Sequence, residues 1–448
     1  MAVKRLKAPA LPLACGGGTA AIALTVASLA SPAHPFACLL LALSCGLCVS
    51  LIVYCCSTTD DKSIALFASL FLLVVVCLPG LIHSTKGIFP FFRRDYPDDA
   101  VTASAVMLLL FMSLFTLGLV TTWTSAKPPR LKLSYEADSG RALALVALFV
   151  ALAAFAFLRV GPEKIFSSRG ETIAVRDPID TMILTGGRYA GFFVLWINIF
   201  MVKAKRSAWI YGLPASIAAY LIMANPVSVP RTLTVGFAII VLVTFFPFSR
   251  PRMKAYAATL YAFGLSVALP LLNQISRGSR GGRHFISPDE YFTRSGDLDS
   301  FQSIINVYIW ISSAGMQWGK QILSAAFVFV PRAIWPDKGL PTGQQAAAFN
   351  GYSFTNVSSP LPAEFFSDFG WLGVVVGGLS TGWLVGICDR QATIARQHNN
   401  VTALLPFATA AAFSGIIVRG SLIGVGALIA YVILMSAFVR FIEYRRER

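Results

Sequence analysis

The chain has 448 residues, of which 56% are hydrophobic and only 13% are charged, and its mean hydropathy is +0.68. A soluble domain carries about a quarter charged residues, so the composition excludes an ordinary soluble protein. The formal net charge of +16 does not indicate nucleic-acid binding, because the basic residues lie in loops between apolar runs. The composition predicts an integral membrane protein.

Apolar runs of spanning length recur along the chain. Lipid offers no partner to backbone N–H and C=O groups, so a run of about 18 or more apolar residues must close its own hydrogen bonds as a helix. We predict an all-α polytopic membrane protein in which the basic N-terminal residues precede a first span and not a cleaved signal peptide. About twelve spans are expected, at 10–31, 35–56, 63–82, 101–122, 142–158, 188–202, 207–223, 232–248, 255–273, 365–388, 400–418 and 421–441.

The distribution of Lys and Arg predicts the orientation. Twelve spans place both termini on one face, and that face, with its termini, carries a net charge of +13, against +3 on the other. The positive-inside rule makes the basic face cytoplasmic. The eight cysteines lie almost entirely inside apolar runs and are interpreted as small apolar side chains, so no metal site is predicted.

One loop on the outer face is unusually long. Residues 274–364 separate the ninth span from the tenth, and a loop of this length in a compact protein is usually functional or disordered. Its aromatic, Gly and Pro content favours function. Two apolar stretches within it, 301–313 and 321–331, are too short to span and are predicted as interfacial or re-entrant helices. The expected organisation is spans one to nine over 1–273, with a smaller outer loop at 159–187, then the loop 274–364, then spans ten to twelve over 365–448.

Arginine dominates the basic residues of the outer face, supplying 13 of 17. The guanidinium group presents a planar fork of donors suited to phosphate oxygens, and the glycines of Arg277-Gly-Ser-Arg280-Gly-Gly-Arg283-His284 let backbone amides approach an anion. Ion pairs with outer carboxylates or contacts with lipid headgroups are the competing explanation. As a set, the arginines favour a phosphate-bearing ligand.

Further ionisable residues fall at the outer ends of spans, where they can point into the helix bundle. These are Arg188, Arg231, Arg419, Glu364 and Asp368. Ionisable groups at such a depth are costly and usually functional, although snorkelling competes as an explanation. Their convergence on one depth predicts a polar cavity. By contrast, the carboxylates at Asp289-Glu290 and Asp297/Asp299 are predicted to be solvated.

Two segments of the long loop carry a family resemblance: "VPRAIWPDKG" at 330–339 and "PAEFFSDFGWLG" at 362–373. With the Arg-rich stretch, the span number and the late outer loop, they make the chain resemble the bacterial Wzy-type oligosaccharide repeat-unit polymerases of O-antigen and exopolysaccharide synthesis. The proline that usually follows the lysine of the first segment is delayed here to Pro341.

The resemblance implies a GT-C-like membrane glycosyltransferase in the bacterial inner membrane, with a periplasmic active site and no cofactor or metal. Donor and acceptor would be undecaprenyl-pyrophosphate-linked oligosaccharides, with membrane lipid and a chain-length regulator as further partners. A sugar hydroxyl needs a base, and a pyrophosphate leaving group needs cations. The candidate bases are Glu364, then Asp368 and His284. The candidate pyrophosphate and substrate ligands are Arg231, Arg277, Arg280 and Arg283, then Arg188 and Arg332, with Arg169 and Arg176 for the second lipid carrier.

Two other functions remain open from the sequence. An O-antigen ligase, which transfers a finished polymer to lipid A-core, shares much of this layout. A secondary transporter or lipid flippase is the alternative outside the enzymes, and it would be expected to show related halves and interrupted helices.

Overall fold

A computed structural model of the chain describes residues 10–91, 95–124, 134–166, 178–225, 229, 231–268, 271 and 287–446. Helices dominate the described fold. One pair of short antiparallel strands also occurs, in which Ser134–Ala137 (β1) pairs with Glu443–Arg446 (β2). The all-α expectation is therefore met, apart from this ribbon.

The described fold divides into two compact units. The first comprises Met1–Ala126, Phe248–Arg390 and Ser414–Ala427, and the second comprises Lys127–Pro247, Gln391–Phe413 and Leu428–Arg448. Three helices near the C-terminus therefore contribute residues to both units.

Helices of the first third of the chain belong mainly to the first unit. They are α1 (Ala10–Leu29), α2 (Pro35–Ser57), α3 (Ser63–Phe71), α4 (Leu78–Lys86) and α5 (Asp98–Thr124). Between α3 and α4 the chain makes a π-helical turn at Leu72–Cys77, so 63–86 is one continuous helical run.

Helices of the second third follow. They are α6 (Ser139–Val160), α7 (Pro162–Phe166), α8 (Pro178–Lys203), α9 (Leu213–Met223), α10 (Arg231–Phe245) and α11 (Pro251–Phe263). A 3₁₀ turn at Ser207–Gly212 precedes α9, and a π-helical turn at Gly264–Ala268 follows α11.

The remaining helices include the long loop and the last predicted spans. They are α12 (Pro288–Arg294), α13 (Ser300–Ala314), α14 (Lys320–Ala326), α15 (Thr342–Phe349), α16 (Leu361–Gln397), α17 (Val401–Arg419) and α18 (Leu422–Val439). Short 3₁₀ turns occur at Gly296–Leu298 and Arg440–Ile442.

Eight described helical runs are long and apolar enough to cross a membrane. They are Leu11–Leu29, Pro35–Ser57, Ser63–Lys86, Asp98–Thr124, Ser139–Val160, Ile179–Lys203, Leu361–Gln397 and Val401–Arg419. The chain is thus a multi-pass membrane protein. Helices also occupy the other four predicted positions, but 207–223 and 232–245 fall short of spanning length, so the number twelve stays a prediction.

The two short helices predicted in the long loop are present as α13 and α14. Helix α13 is buried along most of its length and packs against α4, α5 and α15. A helix lying in the membrane interface would keep a broad polar face in water. Helix α13 is therefore an internal element of the first unit, and its polar side chains face protein.

Small residues let α5 and α16 approach closely. Gly378, Gly382 and Gly386 recur every four residues on α16. A Cβ added to Gly378 would lie 2.9 Å from the carbonyl oxygen of Phe111, and one added to Gly382 would fall against the carbonyl oxygen of Phe115. Such small-xxx-small seams are typical of helix pairs in membranes, where close backbone packing replaces the hydrophobic effect.

We predict that Gly382→Ala lowers the thermal unfolding midpoint of the purified protein in detergent. The added methyl group meets backbone and forces the helices apart, at a cost of about 1–3 kcal/mol. The matched control is Gly17→Ala, because an added Cβ at that position in α1 meets no atom within 4 Å. That control should stabilise the protein by roughly 0.5–1 kcal/mol. Equal effects of the two substitutions would contradict the close seam.

Candidate functional site

Helix α16 is interrupted near its predicted outer end. Phe369 (φ −137°, ψ 19°) and Gly370 (φ 58°, ψ −144°) leave the helical region, so a short segment ending at Asp368 precedes the long apolar run. Glycine suits this position because its φ is positive and it has no Cβ to clash. The kink holds both candidate carboxylates, Glu364 and Asp368, on the short segment.

Glu364 is fully buried within a set of hydroxyl groups. Thr342 Oγ1 donates a hydrogen bond of 2.8 Å to Glu364 Oε2, and the side chains of Ser359 and Ser421 also face the carboxyl group. Glu364 Oε1, Ser359 Oγ and Ser421 Oγ have no hydrogen-bond partner of normal geometry among the described residues. A buried carboxyl group with an unsatisfied oxygen is costly, so this arrangement needs an explanation.

These groups converge from four segments of the first unit. Thr342 opens α15, Glu364 lies in the first turn of α16, and Ser421 directly precedes α18. The Ser359 backbone N–H donates to the Arg419 carbonyl oxygen at 3.0 Å and ties the loop before α16 to the turn after α17. The carboxyl group thus sits where separate elements meet.

An ion pair fixes the end of α17, where the Asp299 carboxylate is buried and the Arg419 side chain is 30% exposed. Arg419 Nη2 donates to Asp299 Oδ1 at 3.0 Å and to the Gly296 carbonyl oxygen at 3.1 Å. Asp299 is 1% exposed, and it also accepts hydrogen bonds from the backbone N–H and hydroxyl of Ser358. The prediction that Asp299 is a solvated surface carboxylate is wrong, because it neutralises Arg419.

A ladder of polar side chains continues along α13 from this ion pair. Tyr96 donates to Asn306 Oδ1 at 2.8 Å, and Asn306 Nδ2 donates to the Tyr352 hydroxyl at 2.8 Å. Gln302 accepts from the Phe91 backbone N–H and donates to the Phe91 carbonyl oxygen. The ladder attaches two loop segments to one buried helix.

Asp368 caps a helix. Its carboxylate oxygens accept hydrogen bonds from the backbone N–H groups of Gln321 (3.1 Å) and Ile322 (2.9 Å), at the start of α14. A carboxylate at a helix N-terminus satisfies otherwise unpaired amides. This geometry gives Asp368 a structural role that accounts for its burial.

The guanidinium of Arg332 is occupied by backbone. Its Nη1 and Nη2 donate to the carbonyl oxygens of Lys338 (2.6 Å) and Gly339 (2.8 Å). These contacts hold the segment 332–339 in a turn. Because both terminal nitrogens of the guanidinium already donate to backbone, fewer N–H donors remain for a phosphate than a free arginine would offer.

The other predicted arginines are not brought together in the described structure. Arg188 is buried on α8 within the second unit, and Arg231 begins α10, where the position of its side chain is not described. The remaining candidates lie outside the described residues: Arg169, Arg176, Arg277, Arg280, Arg283 and His284. Their roles stay predictions.

A second charged cluster lies at the other end of the spans in the first unit. The Lys62 ammonium group lies 3.6 Å from the Trp123 ring centroid and 4.5 Å from that of Tyr54. Burial lowers the pKa of Lys62 to about 8. Lys254 donates to the carbonyl oxygens of Thr58 (2.6 Å) and Asp60 (2.8 Å). The cluster fastens the loop before α3.

Asp389 anchors α16 to the same cluster. Its carboxylate accepts hydrogen bonds from the backbone N–H groups of Ile64 (3.0 Å) and Ala65 (3.4 Å) at the start of α3. Asp389 lies beyond the predicted span 365–388 and was therefore expected in a cytoplasmic loop, but helix α16 continues to Gln397.

The hydroxyl groups around Glu364 were also missed. Ser and Thr are common everywhere, and only tertiary structure shows which of them meet. A sequence signal was available only for the neighbouring polar ladder of α13. There Asp299, Gln302, Ser303 and Asn306 recur at helical spacing and predict a polar face on an otherwise apolar helix.

Comparison with known proteins finds no family model, no curated protein and no solved structure that matches this chain.

We predict that Asp299→Ala strongly destabilises the first unit. It leaves the Arg419 guanidinium without its countercharge and Ser358 without the acceptor of its hydrogen bonds, and a buried donor left without a partner costs roughly 1–3 kcal/mol. The expected result is a clear fall in the thermal unfolding midpoint in detergent. Asp337→Ala is the control, since this carboxylate of the same loop is exposed. A midpoint for Asp299→Ala equal to that of the control would contradict the structural importance of the ion pair.

Proposed function

We propose that this chain is a membrane glycosyltransferase that polymerises oligosaccharide units carried on polyprenyl pyrophosphate, at the outer face of the bacterial inner membrane. The observation that carries the proposal is the buried carboxyl group of Glu364, with one unsatisfied oxygen, beside a helix kink at the predicted outer end of a span. The resemblance of 330–339 and 362–373 to repeat-unit polymerases supports the same reaction.

In the proposed step, a hydroxyl oxygen of the acceptor sugar forms a bond to the anomeric carbon of the donor chain. The bond from that carbon to the pyrophosphate oxygen breaks, and the electron pair leaves with polyprenyl pyrophosphate. The Glu364 carboxylate takes the proton of the attacking hydroxyl. The outer-face arginines predicted from the sequence neutralise the leaving group.

The enclosure of Glu364 sets a condition on this reaction. The carboxyl group is fully buried, so the segments that carry Thr342, Ser359 and Ser421 must admit the acceptor hydroxyl. Three hydroxyl groups around a carboxylate suit a site that exchanges its own hydrogen bonds for those of a sugar. Arg419 and Asp299 then act as positioning residues, because they hold the turn that leads to Ser421.

A specific observation favours a second candidate, a secondary transporter. Helical geometry is interrupted at Phe369/Gly370 inside α16, and discontinuous helices line substrate sites in many transporters. A transporter would move a lipid-linked or soluble substrate between the two faces without changing it covalently.

We predict that purified protein in proteoliposomes converts polyprenyl-pyrophosphate-linked repeat units into a ladder of longer glycans on a gel. Glu364→Gln should reduce ladder formation by at least about a hundredfold, the usual scale for loss of a general base. Glu163→Gln is the control, because Glu163 is exposed in α7. Release of polyprenyl pyrophosphate should accompany each added unit.

Three results would separate the alternatives. Full activity of Glu364→Gln would remove Glu364 from the mechanism. Transfer of finished polymer to a lipid A-core acceptor, without a ladder, would identify a ligase. Movement of substrate across the vesicle membrane with no covalent product would identify a transporter.

A further inference from the structure

Residues 316–340, which we name the bracket segment, use two of their cationic side chains as donors to their own backbone, while Lys320 and Asp337 are exposed. The Lys338 ammonium group donates to the carbonyl oxygens of Val328 (2.7 Å) and Val330 (3.0 Å). Arg332 donates to those of Lys338 and Gly339, and the Gly339 backbone N–H donates to Ser324 Oγ at 2.8 Å. The two cationic side chains thus donate hydrogen bonds to four backbone carbonyl oxygens of the same segment.

The apolar side chains of the same segment point outward. Trp318 and Phe329 are each 73% exposed, and Ile334 is 75% exposed. Met316, Leu323, Phe327 and Leu340 are exposed to a lesser degree. A loop in water normally packs such large apolar side chains inside, so their exposure together on one segment needs an explanation.

The bracket segment is attached to the kink of α16. The backbone N–H groups of Gln317 and Trp318 donate to the carbonyl oxygens of Ser367 (2.8 Å) and Asp368 (3.0 Å). Asp368 in turn caps α14 inside the segment. The attachment is therefore made by backbone N–H groups of the bracket segment to the two residues directly before the kink.

The outward apolar surface continues onto the long part of α16. Trp371, Leu372 and Val376 are 41%, 69% and 56% exposed on a helix of spanning length. The exposed face of such a helix is the face that contacts lipid. Continuity with this face indicates lipid, not a partner protein, as the neighbour of the bracket segment.

We propose that the bracket segment lies at the outer membrane boundary, with Trp318, Phe329 and Ile334 inserted among the lipid acyl chains beside the predicted outer end of α16 and the exposed Lys320 and Asp337 at the level of the headgroups. In that medium water cannot satisfy backbone carbonyls, so irregular backbone needs donors from the protein. Arg332 and Lys338 supply them. The "PRAIWPDKG" sequence is then a device for burying irregular backbone in lipid, and it is independent of whether the protein transfers sugars.

The test is site-directed spin labelling in phospholipid vesicles without any sugar substrate. Nitroxide labels are placed at Phe329→Cys and Ile334→Cys, both exposed positions, of which Phe329 makes an edge contact with the Phe327 ring. Ser353→Cys, an exposed polar position of the same long loop, is the control. Protein without an introduced cysteine is labelled in parallel, and its signal is subtracted.

Labels at 329 and 334 should collide more often with oxygen, which partitions into lipid, than with a water-soluble nickel chelate. The label at 353 should show the opposite preference. Chelate collisions that dominate at 329 and 334 would overturn the proposal, and so would low accessibility to both reagents, which would indicate a protein neighbour.

A second variant tests the inward polar groups. Lys338→Met removes the donor to the carbonyls of Val328 and Val330, so the label at 334 should become clearly more mobile in its spectrum. Asp337→Asn, at the neighbouring exposed carboxylate, should leave the mobility unchanged. Unchanged mobility in Lys338→Met would show that the lysine does not hold the segment.

Discussion

The need to satisfy buried polar groups from within the protein governs this structure. Water is scarce in the hydrocarbon region, so each buried donor or acceptor requires a partner from the chain. Asp299 forms an ion pair with Arg419. Asp368 and Asp389 accept hydrogen bonds from backbone N–H groups at the starts of helices, and Lys254 and Lys338 donate hydrogen bonds to backbone carbonyl oxygens. Most of the buried charge thus has a structural explanation.

Glu364 differs from these residues. One of its carboxylate oxygens has no hydrogen-bond partner among the described residues, and two of the hydroxyls that face it share that condition. Unsatisfied buried groups are commonly found where a protein exchanges them for contacts with a ligand. Asp299, Asp368 and Asp389 each accept hydrogen bonds on both carboxylate oxygens, and this contrast, more than its burial, makes Glu364 the centre of the candidate site.

Helix α16 connects the two charged ends of the first unit. Near the C-terminal end of α16, Asp389 accepts hydrogen bonds from the start of α3. Before the kink, Asp368 accepts hydrogen bonds from the start of α14. Between them, glycines press the helix against α5. A carboxyl group placed at the end of so constrained a helix is held in position, which a site acting on a large flexible substrate requires.

The sequence predicted the membrane class and the helical runs, because long apolar stretches leave no other structure in lipid. It did not predict which charged residues have a structural role in the fold. Asp299 looked like a solvated carboxylate and Arg332 like a phosphate ligand, yet the first is buried against Arg419 and the second binds backbone. The partner of Asp299 comes from a distant segment of the chain. The carbonyl oxygens that accept from Arg332 are close in sequence, but the contact depends on how the backbone of 332–339 turns, which the residue types do not reveal. The same limit hid Ser359 and Ser421.

The central claim is that the outer end of α16, around Glu364, receives the reacting sugar of a lipid-linked oligosaccharide. Photocrosslinking tests it most directly, with a diazirine placed on the terminal sugar of a polyprenyl-pyrophosphate-linked unit and the labelled peptides identified by mass spectrometry. We expect labelling of the peptides that contain Thr342, Ser359 to Glu364, and Ser421, with competition by unlabelled substrate. Competable labelling confined to other parts of the chain would contradict the account.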